Sequence, residues 1–122
     1  MTAIRNGDQD GNDATERDAG WTSFNPTPMH PEYPSQATYN AVTAVAVLES
    51  VFGPAKAIAF TATDVRDPKR TRAFASLTDM AEEQKNVRVW GGVHYRFAIH
   101  ASEDVAPKAA AHLIENTLKP VR

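Results

Sequence analysis

An arginine stands six residues ahead of a histidine in Arg88-Val-Trp-Gly-Gly-Val-His94, with two glycines between them. These residue types suit an oxyanion. Arg presents a planar fork of donors that stays charged at any working pH, glycine lets backbone N–H groups approach a ligand closely, and an imidazole serves as nucleophile or ligand near neutrality. A second stretch of the same character is Pro34-Ser35-Gln36-Ala37-Thr38, which opens the longest apolar run of the chain. The Ser35 hydroxyl and the first-turn N–H groups, that of Gln36 included, are expected at a helix N-terminus, where unpaired donors and the helix dipole favour negative charge. The pattern points to a phosphate-like site with His94 as nucleophile or ligand and Ser35, Gln36, Arg88 and Gly92 as binding residues.

The elements that must position these residues belong to a chain of 122 residues, 42% hydrophobic and 23% charged, enough for one compact domain. A net charge of −2 supplies no broad basic field, which counts against nucleic acid and anionic membrane surfaces as partners. With no cysteine, disulfides, thiolate nucleophiles and thiolate metal sites are excluded. The apolar stretch from Ala41 to Leu48, interrupted at Thr43, is far shorter than the ~20 residues of a membrane-spanning helix, so a soluble chain is expected. No basic n-region leads into an apolar core at the start, so no signal peptide is read there, and the compartment stays unassigned.

Residues 1–34 are polar and rich in turn formers, with Asn6-Gly-Asp-Gln-Asp-Gly-Asn-Asp13 followed by Pro26, Pro28, Pro31 and Pro34, and read as a long loop or arm. The Asp/Asn/Gly alternation lacks the position-12 Glu and flanking helices of an EF-hand calcium loop. From Ser35 to about Phe52, Ala37, Ala41, Val45, Leu48 and Val51 recur at helical spacing while Val42, Ala46 and Val47 fill the rest of the circumference, which predicts a helix buried nearly all round. Ser35 is its expected N-cap and Gly53-Pro54 its stop. Ala57–Thr63 and Arg70–Ala75, separated by Asp64–Lys69, suit a short hairpin or an extended loop. A helix capped by Ser76 or Asp79 is expected to run to about Val87 and to break at Gly91-Gly92. A last helix spans about Pro107 to Leu118, with Ala110, Ala111, Ile114 and Leu118 on one face, or starts near Phe97 with Pro107 as a kink. The expected fold is all-α, a helical-bundle fragment of three main helices (residues 35–122) behind the N-terminal arm (residues 1–34), with a short β-hairpin.

The string His30-Pro-Glu-Tyr-Pro-Ser35, with Ala37-Thr-Tyr-Asn40 and a helix ending in Phe52-Gly53, resembles the second signature of the type-2 phosphatidic acid phosphatase and vanadium haloperoxidase superfamily. Arg88 to His94 resembles the third, in which Arg precedes His by five intervening residues. Thr2-Ala-Ile-Arg-Asn6 through Asp10-Gly-Asn12 and Trp21 is similar to the segment that follows the first signature in bacterial haloperoxidase-like members. The resemblance implies that His94 attacks phosphorus or ligates vanadate, that Arg88 binds the equatorial oxygens, and that Ser35 donates to the oxyanion. Fixed donors aimed at such charge are usually the largest catalytic contribution. The chain departs from the pattern in three places. Gln36 and Ala37 stand where the family has Gly and an acid His, Ala98 stands where an acidic residue would orient His94, and the first-signature Lys and Arg would lie before Thr2.

The resemblance therefore implies a truncated haloperoxidase-like or acid-phosphatase-like domain with a partial phosphate- or vanadate-binding pocket and with vanadate as the implied cofactor. The alternative is a catalytically inactive remnant acting as an oligomerisation or interaction module, its uncovered apolar surface favouring a homo-oligomer. Plainer roles exist for each residue: a packed histidine for His94, a helix C-terminal cation paired with Glu82 or Glu83 for Arg88, and a simple cap for Ser35. His30, His100 and His112 are too scattered to predict a zinc site.

Overall fold

Local chemistry accounts for the start and stop of the first long helix. The structure, a computed structural model, describes residues 2–53, 58–117 and 119. Beyond a four-residue helix α1 (Thr2–Arg5), it contains α2 (Gln36–Phe52), strands β1 (Phe60–Asp64) and β2 (Asp67–Phe74), α3 (Leu77–Trp90) and α4 (Arg96–Asn116). Ser35 is extended and its Oγ accepts the Thr38 N–H, while Gly53, at φ 84°, ends α2 with its N–H on the Glu49 carbonyl. Pro54, expected to share in that stop, lies outside the described residues.

α2 packs against α4 and α3. Two helices cannot cover a whole circumference, and the expectation of all-round burial is corrected accordingly: Thr38 and Val45 are buried, but Val51 and Phe52 stand 66% and 69% exposed. The opposing face on α4 is made of Ala98, Ile99, Ser102, Ala106 and Ala110, a run of mostly small side chains that lets the two backbones approach closely. α4 follows the earlier of the two expected starts, with Pro107 inside it. Pro107 is exposed, so its ring meets solvent and not the buried Ala98–Ala110 face. Of the residues expected on the apolar face, Ala110 is buried, Ile114 half-buried and Ala111 exposed, and Leu118 is outside the described residues.

α3 is capped by Ser76, whose Oγ accepts the Asp79 N–H at 3.0 Å, leaving Asp79 in the first turn beside the positive end of the dipole. The helix runs to Trp90, past the expected Val87, before Gly91 closes it with an N–H on the Val87 carbonyl. Lys85 ties α3 to α4 by reaching Glu103 at 2.7 Å. The hairpin is antiparallel with Phe60 opposite Phe74, their rings stacked at 5.4 Å. Asp67-Pro68-Lys69, expected in the loop, belongs to β2, because a proline without an N–H is tolerated near the start of an edge strand. Ala57 lies outside the described residues.

Apart from α1 and a 3-10 turn at Gly7–Gln9, the arm is irregular. Two of its acidic and amide side chains serve local turns, Asp10 accepting the Asn12 N–H and Asn12 the Ala14 N–H, while Asp8 pairs with Arg17. Backbone bonds anchor it to the rest of the chain, notably from the Phe24 N–H to the Gly91 carbonyl at 3.2 Å. No helix among the described residues is long and apolar enough to cross a membrane.

Candidate oxyanion site

The turn between α3 and α4 brings Arg88, Gly92 and His94 into one neighbourhood. The Arg88 carbonyl, in the last turn of α3, accepts the N–H groups of both Val93 (3.1 Å) and His94 (3.2 Å), which folds the six-residue separation back on itself. That reversal needs Gly92 in the left-handed region at φ 71°. A Cβ at Gly92 would also stand 2.7 Å from Trp21 Cζ2, so the bare glycine seats the arm's indole against the turn.

His94 is 5% exposed. Its Nδ1 lies 2.7 Å from the Glu32 backbone carbonyl, and since a carbonyl oxygen only accepts, Nδ1 carries the hydrogen. Burial pushes the imidazole pKa below its ordinary value, helped by the charges of Arg88 and His30 and opposed by the Glu32 carbonyl and carboxylate. The neutral ring therefore keeps a lone pair on Nε2, and that nitrogen is buried with no hydrogen-bond partner. The His94 ring stacks on His30 at 5.5 Å between centroids. His94 and Gly92 share a cavity of about 250 Å³ with Ile4, Trp21 and Tyr95.

Arg88 is half-buried, and its Nε is a second buried polar atom without a partner. Burial lowers its pKa, yet a guanidinium starts so high that it stays charged. Its expected acidic neighbours are engaged elsewhere, Glu82 with Lys85 and Glu83 with Arg72. The structure therefore pairs neither of them with Arg88.

Ser35 and Gln36 sit at the N-terminus of α2, apart from that turn in their contacts. Ser35 is fully buried; its Oγ lies 3.0 Å from Thr38 Oγ1 and accepts the Thr38 N–H, its N–H donates to the Ala98 carbonyl at 3.1 Å, and its carbonyl accepts the Ser102 hydroxyl at 2.8 Å. Gln36 lines a separate cleft of about 360 Å³ with His30, Tyr33 and Tyr39. His30 links the two regions, since it borders that cleft while its ring stacks on His94.

At the place of the expected acidic orienter stands Ala98, and the group that lies against His94 Nδ1 is the backbone carbonyl of Glu32. Neither Glu32 nor His30 stands out in the sequence as a site residue. A backbone carbonyl leaves no trace in residue type, and the only local hint is the stiff Pro31-Glu-Tyr-Pro34 frame around it. Among the described residues no group of three or more His, Asp or Glu side chains is placed to hold a metal cation.

Residues 1–122, the whole chain, match the family model of the VCPO second helical-bundle domain. Among solved structures, a bacterial vanadium-dependent iodoperoxidase is 29% identical over 80% of this chain, with a TM-score of 0.70, the match taking in 23% of that protein. A holo-type bacterial vanadium-dependent chloroperoxidase is 23% identical over 80% of this chain and 23% of its own, with a TM-score of 0.65. The apo-type chloroperoxidase is 23% identical over 82% of this chain and 25% of its own, with a TM-score of 0.62. The chain thus spans about a quarter of the length of these relatives, and the chloroperoxidases speak to its fold alone. No curated protein matches the chain with significance.

Proposed function

From the premise that the chain belongs to the family of VCPO second helical-bundle domains, as a vanadium haloperoxidase-like helical domain, we propose that His94 and Arg88 hold a vanadate- or phosphate-type oxyanion. One observation carries this reading: His94 Nε2 is a buried lone pair with nothing to bond, on a ring whose other nitrogen is fixed by Glu32. A buried polar atom left unpaired costs about 1–3 kcal/mol, and an electron-poor vanadium or phosphorus centre is a partner that would relieve it. Arg88 Nε is unpaired in the same way and offers a permanent positive charge for the anion's oxygens. The donor set therefore fits vanadate: His94 would hold it through Nε2, Arg88 would neutralise its oxygens, and Gly92 would border it from the shared cavity.

Vanadate, when bound, supplies the centre at which peroxide oxidises a halide. The chain's own residues do the rest: the arm's Trp21 and the Gly92 turn line the cavity beside the ring, and Glu32 keeps the His94 proton on Nδ1. With a phosphate ester as substrate, the Nε2 lone pair would attack phosphorus as the ester oxygen departs. Without the acid His, replaced at Gln36 and Ala37, that step would run roughly two to four orders of magnitude slower. Ser35, fully buried with its hydroxyl bonded to Thr38, is given no part in holding the anion in this reading and serves as the cap of α2.

A second reading, a non-catalytic oligomerisation or interaction module, is favoured by the uncovered Val51 and Phe52. Titration of the protein with orthovanadate under thermal denaturation separates the two. Binding stabilises by RT ln(1 + [L]/Kd), about 2.7 kcal/mol at a hundredfold excess over Kd, and the gain should vanish in His94→Ala. A flat response up to millimolar vanadate would overturn the oxyanion reading and leave the interaction module.

A further inference from the structure

We infer that Glu32 is the positioning residue of the His94 site, holding the imidazole in its Nδ1–H form in place of the acidic side chain missing at position 98. The inference rests on the oxyanion reading above for its purpose, but not for its geometry. Glu32 grips two consecutive residues with two different groups. Its backbone carbonyl accepts the His94 Nδ1–H at 2.7 Å, and its carboxylate Oε1 accepts the Tyr95 backbone N–H at 2.8 Å while lying 3.6 Å from Nδ1. With the His94 N–H bonded to the Arg88 carbonyl, the residue is fixed at its ring, at its own backbone and at the next residue.

The carboxylate is the part of this clamp that a substitution can remove. Tyr95 precedes α4 as its N-cap and provides no side-chain cap, so the Glu32 carboxylate is the anion at the positive end of that helix. Its removal takes away one of the contacts that hold the Glu32 backbone at the turn, the others being the His30–His94 and Tyr33–Phe97 ring stacks, and so loosens the Glu32 carbonyl from Nδ1. Ala98 cannot take over, because it is fully buried, carries only a methyl group, and has its carbonyl committed to the Ser35 and Ser102 donors. Which nitrogen of a ligating imidazole is bare is set by the bond the other one makes, so losing the carbonyl lets the hydrogen reach Nε2 and blocks the lone pair.

The test is a long-range ¹H–¹⁵N correlation spectrum of the histidine rings in the ligand-free protein, which reports the tautomer without any activity. The unsubstituted protein should show His94 as Nδ1–H. Glu32→Ala should shift it to a mixture containing Nε2–H, and Glu32→Gln, whose amide oxygen can still accept the Tyr95 N–H, should restore the pure form. Orthovanadate affinity, read by thermal shift, should fall roughly tenfold to a hundredfold in Glu32→Ala and stay near the starting value in Glu32→Gln. If Glu32→Ala does not fold, Glu32→Asp, too short to reach Tyr95, should show the same mixture. A folded Glu32→Ala or Glu32→Asp with unmixed Nδ1–H would overturn the inference. Failure of the unsubstituted protein to bind vanadate would instead strike the oxyanion reading, leaving the tautomer result to decide this one.

Discussion

His94 gives its Nδ1 hydrogen to the Glu32 backbone carbonyl at 2.7 Å, across 62 residues of sequence, and the opposite nitrogen of the same ring is buried without a partner. A ring so placed is held neutral, and it makes stability depend on pH.

Burial first, then the Arg88 and His30 charges, place the folded-state pKa of His94 below the ordinary 6.5. Above that value His94 is neutral in both states and its contribution to stability is fully present. As the pH falls below about 6.5 the unfolded chain takes up the proton first, so stability declines until the pH passes the folded-state value. Urea denaturation between pH 7.5 and pH 5 should show this decline, and His94→Gln should flatten it. An unchanged slope in the variant would assign the decline to other groups.

Arg88→Ala should abolish stabilisation by orthovanadate while changing the melting temperature of the ligand-free protein little, since Arg88 Nε makes no hydrogen bond that would be lost. Arg88→Lys should recover only part of the affinity, because an ammonium restores the charge but not the planar fork. Full recovery by lysine would show that the fork geometry is irrelevant.

Gly92→Ala should destabilise by about 1–3 kcal/mol, since alanine at φ 71° is strained and its Cβ would meet the Trp21 ring at 2.7 Å. Trp21 should be pushed outward, and its emission, read in a Trp90→Phe background, should shift to the red. A stable variant with unshifted emission would mean that the indole does not rest on this turn.

Ser102→Ala should cost about 1–2 kcal/mol by chemical denaturation. Its hydroxyl is fully buried between the Ser35 and Ala98 carbonyls and joins α4 to the start of α2. The Ser35 carbonyl still accepts the Tyr39 N–H at 2.9 Å, which keeps the loss moderate. A cost near zero would remove this bond from the forces that seat α2.

The sequence by itself determined what a few neighbouring residues can decide. Ser35 and Ser76 cap helices because a hydroxyl reaches an N–H three residues on, and Gly53 and Gly91 end them for equally local reasons. The closeness of Arg88, Gly92 and His94 is of the same kind, since one glycine turn spans it. Tertiary structure decided the rest. Whether the apolar positions of α2 are buried depends on how many helices lie beside it, which no periodicity encodes, and among the described residues the helices packed against it are α3 and α4. The start of α4 depends on Ala98 and Ser102 meeting Ser35, and the readiness of His94 depends on a backbone carbonyl from the distant residue Glu32. Every residue carries a backbone carbonyl, so residue type cannot reveal which one a folded chain brings to a particular ring nitrogen.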